Sequence, residues 1–302
     1  METIHVDKFL EVIKAMQYEQ IMYEKDNRIC IITLNRPEVL NAWTLIMMNE
    51  VLDALDKADN DDDIRVVIFT GAGRAYCAGA DLSAGGFRSP DSQQGQPAFR
   101  DAAGQVTLRI FNMKKPVIGA LNGNAVGVGI TMTMAMDIRI ASEAVQKIGF
   151  VFNRRGVVPE GCCTFFLPRI IGISMASELI LTGRFFNARE GLEMGLFSRV
   201  VPADELMPTA RKIAHEIADN TSAVSTALAR QLLWKTLGET NPMNTHILES
   251  KGFAYMLASA DVKEGVASFI EKRPPRFTMK PSTDMPDFYP WWKEPPFADK
   301  LS

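Results

Sequence analysis

The sequence predicts an α/β fold. Short β-branched apolar runs ended by turn residues alternate with stretches of helical periodicity over the first two-thirds of the 302 residues, the pattern of stacked strand and helix layers. After about Pro202 the strand-like runs stop and only helical periodicity remains. A composition of 47% hydrophobic and 23% charged residues is that of a globular chain long enough for one large α/β domain with a helical appendage.

Taken in order, residues 1–17 (METIHVDKFLEVIKAMQ) mix acids with apolar positions and predict a short amphipathic extension without a secretory pattern. RICIITL, Arg28 to Leu34, predicts a strand that runs into a turn at Asn35-Arg36-Pro37. Leu45, Met48, Val51, Leu52 and Leu55 recur at helical spacing and predict a helix over Asn41–Lys57. The acid run after it, Asp59 to Arg65, lacks the central glycine and closing glutamate of a calcium loop and reads as a solvated helix end. VVIFT, Val66 to Thr70, predicts a buried strand; the Gly71-Ala72-Gly73-Arg74 turn after it lacks the third glycine of a dinucleotide fingerprint. Ser83 to Gln105, rich in Gly, Ser, Gln and Pro, predicts a mobile loop. Pro116–Leu121 predicts another strand, followed by a helix through ITMTMAMDI whose Met132, Met134 and Met136 are core filler. Ile138–Ala141 predicts a further strand. Helices are then expected over 203–219, 222–237, 244–257 and 261–272. A Pro-rich aromatic arm over 273–302 closes the chain, with Trp291 and Trp292 needing a partner surface such as a neighbouring subunit.

Several function classes are disfavoured at once. A net charge of −3 argues against a general nucleic-acid or membrane binder, and no apolar run reaches membrane-spanning length. The four cysteines, Cys30, Cys77, Cys162 and Cys163, form no CxxC pair, so neither a disulfide framework nor a metal site is expected. Adjacent Cys162 and Cys163 read as small buried residues. His5, His215 and His246 fall in presumed helices with no triad around them. The chain ends Lys300-Leu301-Ser302, not the Ser-Lys-Leu peroxisomal address; a cytoplasmic location is expected.

Three segments carry chemistry. AYCAGADL (Ala75–Leu82) and NGNAVGVGITM (Asn122–Met132) are Gly-rich bends that each follow a predicted strand and open a helix. Amides at a helix start lack partners and point at negative charge. Singly, either bend is ordinary structure; together they could offer two N–H donors to one oxygen. The third segment, RRGVVPEGCCTFF (Arg154–Phe166), sets Glu160 in an apolar run. Glu160 is either an exposed turn residue after Pro159 or a base in an apolar pocket with a raised pKa, desolvated by Val157, Val158, Phe165 and Phe166. Asp81 is expected to cap a helix after AGAD, Asp137 to be a structural turn partner, and Arg154 and Arg155 to face water or phosphate.

LNRPEVLNA, GAGRAYCAGADLS, NGNAVGVG and the PEG segment, in this order, resemble the crotonase (enoyl-CoA hydratase/isomerase) superfamily over roughly Tyr18–Phe277. LTGRFFNAREGLEMGLFSRVV and DVKEGVASFIEKRPPRF look like the same family. The resemblance implies a spiral of ββα turns binding acyl-CoA over 18–202 and a helical trimerisation subdomain over 203–272, assembled as a homotrimer or homohexamer. Coenzyme A would enter as part of the substrate, with no separate cofactor. The thioester oxygen would be held by the N–H groups of Ala80 and Val128, the latter a glycine in many members. The two glutamates of typical hydratases fall at Thr131 and Phe152, neither of which ionises. Glu160 instead stands where the peroxisomal type of Δ3,Δ2-enoyl-CoA isomerase has its base, and where related dehalogenases have a nucleophilic aspartate. An isomerase with one glutamate base is therefore implied; the alternatives are a hydratase or dehydratase using the same glutamate, or a silent acyl-CoA-binding scaffold. Substrate contacts would come from the turn carrying Arg36, Val39 and Ala42, and from the bend around Cys77, Ala78, Asp81 and Leu82. Thr131 and Phe152 would line the acyl site, and Lys272 would reach coenzyme A, often from a neighbouring subunit in this family.

Overall fold

The computed structural model describes residues 18–83 and 99–297. The expected N-terminal helix, His5 and most of the expected Ser83–Gln105 loop lie outside the described residues.

Strands β1 (Ile21–Asp26) and β2 (Ile29–Leu34) form an antiparallel hairpin. Its two linking residues, Asn27 and Arg28, have φ of 45° and 71°, as a two-residue hairpin that follows the strand twist requires. Helix α1 (Leu45–Asn60) comes next, then β3 (Val66–Gly71), β4 (Ala75–Cys77) and helix α2 (Ala102–Phe111). The unit repeats as β5 (Val117–Leu121), β6 (Asn124–Val126) and the short helix α3 (Val128–Thr131), and again as β7 (Ile138–Ser142), β8 (Ile148–Gly149) and α4 (Cys163–Ile171). Helices α5 (Ile173–Thr182) and α6 (Ala188–Glu193) and strand β9 (Arg199–Val201) complete the strand-bearing part. In each unit the first strand joins one sheet and the second strand joins another. The six-stranded sheet has order β1-β2-β3-β5-β7-β9, and the three-stranded sheet is β4-β6-β8. All pairings except β1–β2 are parallel. The chain thus coils through successive ββα turns.

Alternation along the strands splits the core. Cys30, Ile32, Leu34, Val67 and Phe69 point towards the small sheet and α1. Ile29, Ile31, Val66, Ile68 and Ile118 point the other way, onto α7 (Leu206–Asn220). Burial on both faces explains why these strands read as unbroken apolar runs. Helix α7 meets the sheet through Leu206, Ala210, Ala214 and Ala218, one small-residue stripe at a spacing of four. Helices α8 (Ala223–Lys235), α9 (Pro242–Leu257) and α10 (Ala260–Glu271) follow. No helix among the described residues is long and apolar enough to cross a membrane.

Four expectations change. Helix α1 starts at Leu45 rather than Asn41, because Asn41 is left-handed (φ 56°) and its buried amide donates to Ala72 O and Ala75 O at 2.9 and 2.8 Å; Thr44 caps the helix instead, accepting from Met47 N. Asp59 is not solvated at the helix end: it is buried and accepts from Lys114 N and the Arg109 guanidinium. The end of the expected loop, from Ala102, is helix α2, capped by Asp101. Finally, the arm's aromatics find a surface on their own chain. Lys235 Nζ lies 4.3 Å from the centre of the Trp292 ring and 2.9 Å from Glu294, and Trp291 packs edge-on against Trp292 and Tyr289.

Candidate active site

The two Gly-rich bends meet because β4 and β6 are neighbours. Cys77 pairs with Ala125, so Ala80 and Val128 stand at equivalent steps beyond the paired positions. Gly79 and Gly127 turn the chain there with φ of 103° and 55°, conformations that cost a side-chain-bearing residue dearly. The bends touch. A Cβ on Gly79 would lie 3.1 Å from Val126 O, and one on Gly129 would lie 2.3 Å from Cys77 O. Helix α3 therefore begins directly on β4.

Each bend holds an amide with no acceptor among the described residues. Trp43 N donates to Gly79 O, and Asp81 N donates to Trp43 O; Ala80 N, between them, has no acceptor among the described residues. Val128 is the first residue of α3, ahead of the amides of Ile130 and Thr131 that both donate to Gly127 O. Its N–H likewise has no acceptor among the described residues. As residues, Ala80 is exposed and Val128 is buried.

Glu160 faces the same short helix. Its carboxylate lies 3.5 Å from Thr131 Oγ1, and Thr131 is three residues of α3 (~4.5 Å along the axis) beyond Val128. The Glu160 turn continues through Gly161 and Cys162, both left-handed, into α4. Burial raises the Glu160 carboxyl from its ordinary value near 4.5 to about 7, and the neighbouring Asp101 carboxylate adds to the rise. The Ala103 amide and the Thr131 hydroxyl partly offset it. Burial also pushes the Cys77 and Cys163 thiols up to about 12, with Glu160 contributing. Glu160 is half-buried at the head of the turn that leads into α4, with its carbonyl accepting from Cys163 N.

The expected source of that desolvation was partly wrong. Val158 and Phe165 are exposed, at 81% and 42%. Phe166 is buried against Phe111 and Trp234. The Glu160 carboxylate is enclosed by the start of α2, at Asp101 and Ala103, and by Thr131 of α3. Asp101 was missed because it lies in what reads as a loop. An acid before Ala-Ala-Gly-Gln-Val is an N-cap signal, but nothing local announces a contact with residues sixty positions away.

Other candidates sort out as follows. Arg36 donates to Asp81 Oδ2 at 2.9 Å and to Ala42 O at 2.7 Å. Asp81 caps no described helix; its carboxylate accepts from Ser83 N and Oγ, and these bonds, with Arg36, hold it down at about 2. Ala78 N donates to Leu40 O, which sets the turn bearing Val39 beside the first bend. Val39 and Leu82 are 40% and 45% exposed, available to a ligand. Cys77, Thr131 and Phe152 are buried. Lys272 is the exposed, left-handed cap of α10, and among the described residues no hydrogen bond or ion pair joins it to the Ala80–Val128–Glu160 group. Asp137 accepts from Val117 N, Arg230 and Trp234, a structural role. Arg154 donates to Thr182 O at the surface. His215 pairs with Asp219 on α7, and His246 is exposed on α9. Cys163 is buried, Cys162 only partly.

A profile described as enoyl-CoA hydratase/isomerase matches residues 24–280. The chain belongs to the enoyl-CoA hydratase/isomerase family. This crotonase-superfamily enzyme is 43% identical over 250 residues to the enoyl-CoA hydratase ACTT3 of Alternaria alternata, covering 82% of each chain. It is 37% identical over 267 residues to a probable enoyl-CoA hydratase, echA8, of Mycobacterium tuberculosis, covering 87% of this chain and 99% of that one. Among solved structures, a probable enoyl-CoA hydratase/isomerase from Mycobacterium abscessus superposes with a TM-score of 0.79 at 33% identity, over 85% of this chain and 98% of that one. The enzyme's α/β spiral is thus the family fold. The arm beyond residue 280 lies outside the matched region.

Proposed function

We propose that this family member acts on acyl-CoA thioesters through an enolate, and that its reaction is Δ3,Δ2-enoyl-CoA isomerisation with Glu160 as the base. The amides of Ala80 and Val128 bind the thioester oxygen. Glu160 takes a proton from Cα of a 3-enoyl thioester, the electrons move onto the oxygen, and the two amides stabilise the charge; each such donor is worth about 3 kcal/mol. The Glu160 carboxylic acid then returns the proton at Cγ, leaving the double bond conjugated to the carbonyl. A carboxyl titrating at about 7 suits a base that both takes and returns a proton near neutrality. One observation carries this reading: of the three positions where the family places acidic groups, Thr131 and Phe152 cannot ionise, and only Glu160 can.

The relatives' names favour a second reading, in which the same Glu160 activates water for hydration of a 2-enoyl thioester. Incubating a 3-enoyl-CoA and a 2-enoyl-CoA separately distinguishes them. Conjugation without water uptake supports the isomerase; hydration of the 2-enoyl substrate overturns it. Coenzyme A is proposed to lie along the Arg36–Ala42 turn and the Cys77–Leu82 bend, with Lys272 supplied by a neighbouring subunit. A homotrimer or homohexamer goes with that assignment. Val266, Phe269 and Ile270 on α10 and Phe253 on α9 are more than half exposed, an apolar surface suited to subunit contact. Light scattering of the purified chain checks it.

A further inference from the structure

We propose that Asp101, the N-cap of α2, is the positioning residue of Glu160: it pins the turn that carries the base and sets a second carboxylate against it, so that the two groups work as a pair. The proposal rests on the reading of Glu160 as the base and deepens it. Asp101 Oδ1 accepts from Gly104 N at 2.5 Å and from Gly161 N at 3.0 Å. The first bond closes the start of α2. The second holds the amide that directly follows Glu160, so one oxygen ties the base's turn to a helix from another part of the chain. The Asp101 carboxylate also helps to raise the Glu160 carboxyl, its charge adding to the effect of burial.

The surroundings leave Asp101 as the charged partner that matters. From β4 the group facing Glu160 is Cys77; from its own turn and α4 they are Cys162 and Cys163, all with thiols raised by burial. Arg100 faces Cys162, and no Lys, Arg or His forms an ion pair with Glu160 or Asp101 among the described residues. Two carboxyl groups held together cannot easily both ionise. Glu160 is the member whose carboxyl is raised, by burial first and by its acidic neighbour second. The conjugate acid is thereby kept weak, and a weak conjugate acid means a stronger base for Cα–H. In this way α2 supplies a second carboxylate that positions 131 and 152 lack.

Asp101→Asn tests this in the full-length enzyme. The amide oxygen still accepts from Gly104 N and Gly161 N, while the new NH2 faces Glu160 and favours its ionised form. We expect the acid limb of kcat/KM for a 3-enoyl-CoA to move down by about one pH unit and plateau kcat to fall about tenfold, with KM little changed. Without substrate, the protonated-carboxyl infrared band that disappears in Glu160→Gln should titrate at correspondingly lower pH. Asp101→Ser, which keeps a capping oxygen and removes the charge, should move both readouts the same way, and it serves if the asparagine variant fails to fold. An unmoved limb and an unmoved infrared midpoint overturn the proposal. If Glu160→Gln retains full turnover, the assignment of the base itself falls, a result distinct from an unmoved limb in a chain that needs Glu160.

Discussion

The two halves of the site are built by opposite means. At the paired bends, the groups we propose to work are main-chain amides, and their positions come from glycines that let two backbones touch. At the Glu160 corner, the proposed base is a side chain, and its properties come from burial and from neighbours at the start of α2 and on α3. The first half is indifferent to which side chains stand at Ala80 and Val128. The second depends on each one around it. Substitutions should therefore fall into two unlike classes.

The sharpest way to break the bends is Gly129→Ala. A Cβ there would sit 2.3 Å from the Cys77 carbonyl oxygen, and backbone cannot swing aside as a side chain can. We expect about a thousandfold loss of turnover, the upper scale for losing an oxyanion donor, and about 2–3 kcal/mol of stability, read by steady-state assay and urea unfolding.

At the other corner Glu160→Gln should cost at least about a hundredfold in turnover while leaving the fold intact. Loss of the fold would mean that Glu160 is structural. The same variant carries a stability signature. The folded carboxyl holds its proton up to about pH 7, against about 4.5 ordinarily, so between those values the folded state binds more protons than the unfolded one. Stability of the native enzyme then falls as pH rises through that window. Glu160→Gln should escape the loss, unfolding about 3 kcal/mol harder than the native enzyme at pH 8 and no harder below pH 4.5. Equal differences at both pH values would place the carboxyl in water. Smallest of all, Val128→Ala keeps the amide and trims only the side chain; turnover with a short-chain thioester should stay within about threefold. A large loss would show that the bend is not indifferent after all.

The same contrast explains what the sequence disclosed. The bends are legible because their glycines answer local demands, and β2, β3, β5 and β7 are legible because strands buried on both faces need unbroken β-branched runs. Strands β6 and β8, three and two residues long, are too short to show a period. Helix α2 hides behind a Gly/Ser/Gln/Pro-rich stretch. Phe165 and Phe166 look alike in the sequence, but α4 turns one outward and the other into the core, which adjacency does not reveal. Asp101 meets the Glu160 turn only through tertiary packing. Local backbone chemistry can be read along the chain; a side chain's environment is assembled from segments that the linear order keeps apart.

The register of β4 on β6 has one more consequence. Ala80 and Val128 occupy matching places in consecutive windings of the coil, so the place proposed for the oxygen lies on the seam between windings and is a product of their stacking. A connection between windings can lengthen, shorten or change its chemistry while that seam stays shut. Such a change would alter what the chain can grip and leave the proposed oxygen site in place.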